Sequence, residues 1–173
     1  MARPRLLILC GLPFAGKTTL ARELEQRRGF ARVEIDAINA ERGVWDDRHG
    51  MSPEEWDETY RESYRRLEAP LRKGRSVIYD ATNFTREQRD RPRAIAARHG
   101  VPATVIYLDV PEAEARRRWQ RNREAGLRAD VRDEDFALVV GAFEPPAGDE
   151  AAVRYDPSVP LDEWIARLGS DEG

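Results

Sequence analysis

Short apolar runs alternate along the chain with longer stretches whose apolar residues recur every three or four positions. The first run is Leu6 to Cys10, and a helical stretch from about Gly16 to Arg28 follows it. Arg32 to Asp36 is the second run, with Val33 and Ile35 apolar. Ser76 to Ala81 and Thr104 to Val110 are the third and fourth, and Val153 to Asp156 is a short fifth. Strand-like runs alternating with helical patterns predict an α/β fold with a largely parallel sheet.

Several helices announce their starts. Ser52 and Glu55 have the spacing of a capping box, with Pro53 at the first helical position. Trp56, Tyr60, Tyr64, Leu67 and Leu71 then share one face, which reads as a core-packing stripe. Pro70 is expected to kink or end that helix. Thr85 and Gln88 form a second capping box, with Pro92 disturbing the helix behind it. Pro111 opens a helix running to about Ala125. Phe136, Val139, Val140 and Phe143 mark another, stopped by Pro145 and Pro146. Leu161, Trp164, Ile165 and Leu168 mark the last, ending at Gly169.

At 173 residues the chain suits one domain, 1–173, with room for a full core. Its 29 Lys plus Arg against 32 Asp plus Glu give a net charge of −3, which argues against a general polyanion-coating protein but leaves room for a local basic groove. With 35% charged residues, no stretch approaches the ~20 apolar residues of a membrane span. Arg3 and Arg5 before Leu6 to Cys10 faintly imitate a signal peptide, but the apolar run is too short for one. With Cys10 the single cysteine, no internal disulfide can form, and the expected location is the cytoplasm. Only Lys17 and Lys73 are lysines among the basic residues, which makes the position of Lys17 informative.

Gly11 to Thr19 reads GLPFAGKTT and fits the Walker A pattern G-x-x-x-x-G-K-[ST]. A strand-like run precedes it and a helical pattern follows, as the motif requires. Gly11 and Gly16 give the backbone conformations and close approaches closed to other residues. The amides of Leu12, Pro13's successors Phe14, Ala15, Gly16, Lys17 and Thr18, and Thr19 in the first turn, surround a phosphate chain at a helix N-terminus. Lys17 reaches the β- and γ-phosphates of ATP, and Thr18 offers a hydroxyl to Mg²⁺.

Three runs end in an acid: Asp36, Asp80 and Asp109. In a parallel sheet the carboxyl ends of the strands line the crevice that holds the phosphate loop. Asp80 suits a Walker B position that holds Mg²⁺ directly or through water. Asp36, before a polar segment, suits a base that accepts a proton from an attacking hydroxyl. Asp109 reads as a helix-start residue. In Ala115 to Arg123, Arg117 and Arg121 share a helix face and match phosphate oxygens. The loose stretch after them makes a lid at about 116–133. Arg86, Arg89, Arg91 and Arg93 form a second basic set beyond Asp80.

These residues together resemble a small P-loop kinase of the polynucleotide-kinase-like group, which includes zeta-toxin-like and chloramphenicol-phosphotransferase-like enzymes. The resemblance is carried by GLPFAGKTT, by Asp36, by VIYDATNFTREQR from Val77 to Arg89, by the lid arginines and by FEPP from Phe143 to Pro146. It implies a five-stranded parallel sheet ordered 2-3-1-4-5 with helices on both faces. It implies ATP, Mg²⁺ and transfer of a phosphoryl group to a hydroxyl, with Asp36 as base or orienting residue and Arg117 or Arg121 clamping the phosphates. Asn83 and Arg86 are then on the substrate side. The segment 39–51, with Arg42, Trp45 and His49, covers the acceptor. The acceptor is a small hydroxylated molecule or a nucleic-acid end; the acidic balance weighs against a polynucleotide. Two other classes stand beside this one. A P-loop hydrolase would turn over ATP with water, although the guanine-reading N-K-x-D is absent and an AAA-type motor would need more chain. An ATP-binding adaptor would bind without transfer.

Overall fold

Leu6–Cys10 is the strand β1, and all five of its side chains are buried. A strand buried on both faces belongs at the centre of a sheet that is covered on both sides. The computed structural model, which describes residues 3–45 and 48–170, puts it there. In chain order, α1 (Lys17–Arg28), β2 (Ala31–Glu34), α2 (Ile35–Arg42), α3 (Pro53–Arg72), β3 (Val77–Asp80), α4 (Arg86–Arg98), β4 (Ala103–Tyr107), α5 (Glu112–Ala125), α6 (Asp133–Ala142), a 3₁₀ turn at Gly148–Glu150, β5 (Val153–Arg154) and α7 (Leu161–Ser170) follow. The five strands are ordered β2-β3-β1-β4-β5, and every pairing is parallel. This is the expected order and class.

The two-residue period of β1 divides the core. Leu6, Ile8 and Cys10 pack with Val77, Tyr79 and Val105 beneath α3 and α4, through Leu67, Leu71, Ile95 and Ala96. Leu7 and Leu9 face the other way, with Ile78 and Ile106, onto Leu20, Ala21 and Leu24 of α1 and Trp164 of α7. A third cluster of Phe14, Ala115, Trp119 and Phe136 joins the phosphate loop to α5 and α6.

Both capping boxes form: Ser52 accepts from the Glu55 amide and Thr85 from the Gln88 amide, each reciprocated. The aromatic stripe of α3 is core, as expected. Trp56, Tyr60, Tyr64 and Tyr79 follow one another at centroid spacings of 5.9, 6.3 and 6.2 Å. Pro70 lies inside α3, and the helix ends two residues later at Arg72. Pro92 is likewise accommodated, buried within α4.

One boundary departs from expectation. The second strand stops at Glu34, which pairs with Asp80, and Ile35 and Asp36 open α2. Asp36 is therefore a first-turn helix residue rather than a strand end. It still lies at the carboxyl edge of the sheet, where an acid suits the helix dipole.

Candidate active site

The phosphate loop is built by close packing and left-handed backbone. Gly16 takes φ 99° and Phe14 φ 64°. A Cβ on Gly11 would come within 2.8 Å of the Leu108 carbonyl oxygen, so only glycine lets the loop start against the end of β4. The Gly11 amide donates to the Thr82 carbonyl across 3.2 Å, which ties the loop to the segment after β3. Lys17 is buried, and its Nζ donates to the loop's own carbonyls, Gly11 O at 2.9 Å and Leu12 O at 2.7 Å. Burial pushes its ammonium down to about 8, with Asp80 opposing that shift.

Asp80 is 3% exposed and stands across from Lys17. Its Oδ2 is buried and receives no hydrogen bond, with Arg32 Nη1 3.8 Å away. Burial pushes its carboxyl up to about 6, against the pull of Lys17 and a hydrogen bond from Thr18. An orphaned carboxylate oxygen is costly unless something uses it. Thr18 and Asp80 supply the hard oxygen donors that Mg²⁺ takes in nucleotide sites, where phosphates and waters complete the shell. The donor set fits that ion.

Asp36 is about two-thirds exposed at the mouth of the site, with Arg128 Nη2 3.9 Å from its Oδ2. The same guanidinium lies over the Phe14 ring, 4.5 Å from its centroid. Arg118 donates to the Phe14 carbonyl across 3.3 Å and is held by Glu114. Phe14, Arg118, Arg121, Asn122, Leu127 and Arg128 line an open groove beside the loop.

Other expected residues stand elsewhere. Asn83 is buried; its amide donates to Leu9 O at 2.6 Å, while its Oδ1 is buried without a hydrogen-bond partner. Arg42 is spent on α3: it donates to Glu55 O and to Thr59 Oγ1, and pairs with Glu58. Arg86 pairs with Asp90 and Asp149 at the surface, because the first turn of α4 faces the 3₁₀ turn. Arg117 is exposed and pairs with Glu114 three residues back. Asp109 takes Arg154 and the Tyr107 hydroxyl. Trp45 and His49 lie on the described part of the segment 39–51; residues 46 and 47 lie outside the described residues.

A family model described as an AAA domain matches residues 6–146. The chain belongs to this AAA_33 family. The match runs from β1 through the phosphate loop, Asp36, Asp80 and α5 to FEPP, so it covers every part of the site. A shikimate kinase from Histophilus somni (strain 2336) is 28% identical over 177 residues, covering 99% of this chain and 94% of its own. A gluconokinase from Gluconobacter oxydans (strain 621H) is 23% identical over 176 residues, covering 98% and 94%. Among solved structures, the Mycobacterium tuberculosis APS kinase CysC, in complex with AMPPNP and APS, superposes with a TM-score of 0.68 at 19% identity, covering 97% of this chain and 96% of its own. All three of these similar proteins are kinases by name, in keeping with the small P-loop kinase group that the motifs resemble.

Arg118 and Arg128 lie within the expected lid at about 116–133, but the sequence did not single either of them out. Their signal was obscured by the abundance of arginine: nothing along the chain separates Arg118 from Arg117. Only the docking of α5 on Phe14 turns the former inward.

Proposed function

We propose that this protein is an ATP-dependent phosphotransferase that moves the γ-phosphoryl group of ATP onto a hydroxyl of a small acceptor. The observation that carries the reading is one juxtaposition. A phosphate loop with a buried lysine and an orphaned Asp80 oxygen opens onto Asp36, with Arg128 bridging the two sides.

In this reading Lys17 exchanges the Gly11 and Leu12 carbonyls for β- and γ-phosphate oxygens. The loop amides and the start of α1 hold the phosphate chain. Thr18 and Asp80 would hold Mg²⁺, which when bound would neutralise phosphate charge. Asp36 accepts the acceptor's proton as its oxygen bonds to the γ-phosphorus and the bond to the β-phosphate oxygen breaks, releasing ADP. Arg128 stabilises charge on the moving group. Residues 116–133 act as the lid that excludes water, within a single domain. Arg121 contacts the nucleotide from the groove, and Arg117 plays no part. Leu12 to Thr19 form the nucleotide cradle.

The test is transfer from γ-labelled ATP with Mg²⁺. Polyhydroxylated carboxylates such as shikimate and gluconate go first, because they are in the relatives' names. Other sugars, nucleosides, aminoglycosides and a 5′-hydroxyl oligonucleotide follow. Label on a small molecule, lost with Lys17→Ala and reduced about 100-fold or more with Asp36→Asn, supports the proposal. Label on the oligonucleotide moves the assignment to nucleic-acid ends. Phosphate release unaffected by every acceptor makes the protein a hydrolase, and tight ATP binding without turnover makes it an adaptor.

A further inference from the structure

Behind the phosphate loop lies a buried polar assembly that the chemistry above does not use. Arg89 of α4 and Glu150 of the 3₁₀ turn are both fully buried. They form a two-pronged pair, Nε to Oε2 at 2.7 Å and Nη2 to Oε1 at 2.9 Å. Glu150 also accepts from the Ala147 amide at 3.0 Å, and Arg93 stands 3.4 Å from it. The remaining prong of Arg89, Nη1, donates to the Asn83 carbonyl oxygen at 2.9 Å and reaches Cys10 Sγ at 3.8 Å. The Cys10 thiol donates to that same carbonyl at 3.4 Å.

Asn83 passes the constraint on. Its backbone is left-handed, with φ 48°, a conformation that asparagine tolerates better than most residues. In that pose its side chain turns back and donates to Leu9 O at 2.6 Å, one strand position before Cys10. Its neighbour Thr82 accepts from the Gly11 amide. Hydrogen bonds of two consecutive residues, Thr82 and Asn83, thus grip the end of β1 and the first residue of the phosphate loop. On the opposite side Gly11 abuts Leu108. The loop's origin is held in a vice, and the Arg89–Glu150 pair fixes one jaw.

We propose that Asn83, Arg89 and Glu150 are positioning residues that hold the phosphate loop in its anion-binding form from behind. A buried pair with no net role in stability can still specify one geometry, and here the geometry it specifies is that of the loop. The inference deepens the nucleotide-site reading and rests on it for function, but its structural part can be judged without any nucleotide.

The test uses the full chain and three variants. Asn83→Gly accepts the left-handed backbone, keeps the carbonyl for Arg89 and deletes the short bond to Leu9 O together with the longer one, 3.4 Å, to Ala81 O. Arg89→Lys keeps the charge beside Glu150 but cannot serve Glu150 and Asn83 O together. Ile95→Val, a core trim on α4, is the control for destabilisation alone. Native-state hydrogen exchange is read on the peptide spanning Leu9 to Lys17, and AMPPNP·Mg²⁺ affinity is read by calorimetry. The expected result is exchange of that peptide about 10-fold faster, and affinity about 10-fold weaker, in Asn83→Gly and Arg89→Lys, with Ile95→Val close to the parent in both. The brace is refuted if Asn83→Gly and Arg89→Lys exchange that peptide no faster than Ile95→Val. If the parent chain fails to bind AMPPNP, the nucleotide reading falls, and the exchange data alone still decide whether the brace exists.

Discussion

Replacing Asp80 by Asn should stabilise the empty protein at neutral pH while removing its activity. The carboxyl is 3% exposed and is pushed from 3.8 to about 6, chiefly by burial. A carboxylate whose folded pKa is raised supports stability only below its unfolded value, and that support is lost as pH rises through the folded one. Across about two pKa units, ionised Asp80 costs the fold about 3 kcal/mol once the pH passes 6. By linkage about a third of that cost is already present at pH 4.5. Asparagine carries none of it. Part of the gain is returned, because Lys17 loses the partner that holds its charge. The stability difference between Asp80→Asn and the parent should therefore grow by about 1–2 kcal/mol between pH 4.5 and pH 7.5. Urea unfolding at the two pH values, without nucleotide or Mg²⁺, measures it; titrating groups not coupled to Asp80 cancel in the difference. A difference that stays constant with pH, or shrinks, would show that Asp80 is not an electrostatic load, and the argument for a waiting cation site would go with it. The variant should in addition lose its response to Mg²⁺.

Further outcomes follow from the same geometry. Lys17 is held down to about 8 in the empty protein, so ATP affinity should decline as pH climbs from 8 to 9, with proton uptake on binding in that range, as calorimetry in two buffers would show. Gly11→Ala forces a Cβ to 2.8 Å from a backbone oxygen; it should cost about 1–3 kcal/mol in urea unfolding and weaken ATP binding more than tenfold. Arg128→Ala should lower the transfer rate at least tenfold, whereas Arg117→Ala, on an exposed pair, should stay within twofold in the same assay. Gly50 has φ 69° and packs against the Arg132 guanidinium, so Gly50→Ala should lower stability by about 1 kcal/mol in a thermal melt.

Much of the molecule is written in local pattern. The unbroken apolar run of β1, the two capping boxes and the period of α3 are short-range signals, and the sheet order is the one that the resemblance to small P-loop kinases implied. The phosphate loop was legible for the same reason: its glycines, Lys17 and Thr18 are contiguous and act through backbone that they shape themselves. Asp80 was legible as an acid closing an apolar run. What the sequence could not assign was the partner of each side chain brought together from afar. Asn83 reads as a polar residue beside a motif acid, yet a left-handed turn aims it at Leu9. Arg89 is one of a basic set in sequence, but Glu150, sixty-one residues away, buries it. Arg118 and Arg128 differ from their neighbouring arginines only in what α5 and its following loop are packed against. Charge is a property of a residue, whereas its direction and solvation are properties of the assembled surface. The local code therefore determined where a phosphate can bind, and tertiary packing decided which charges face it.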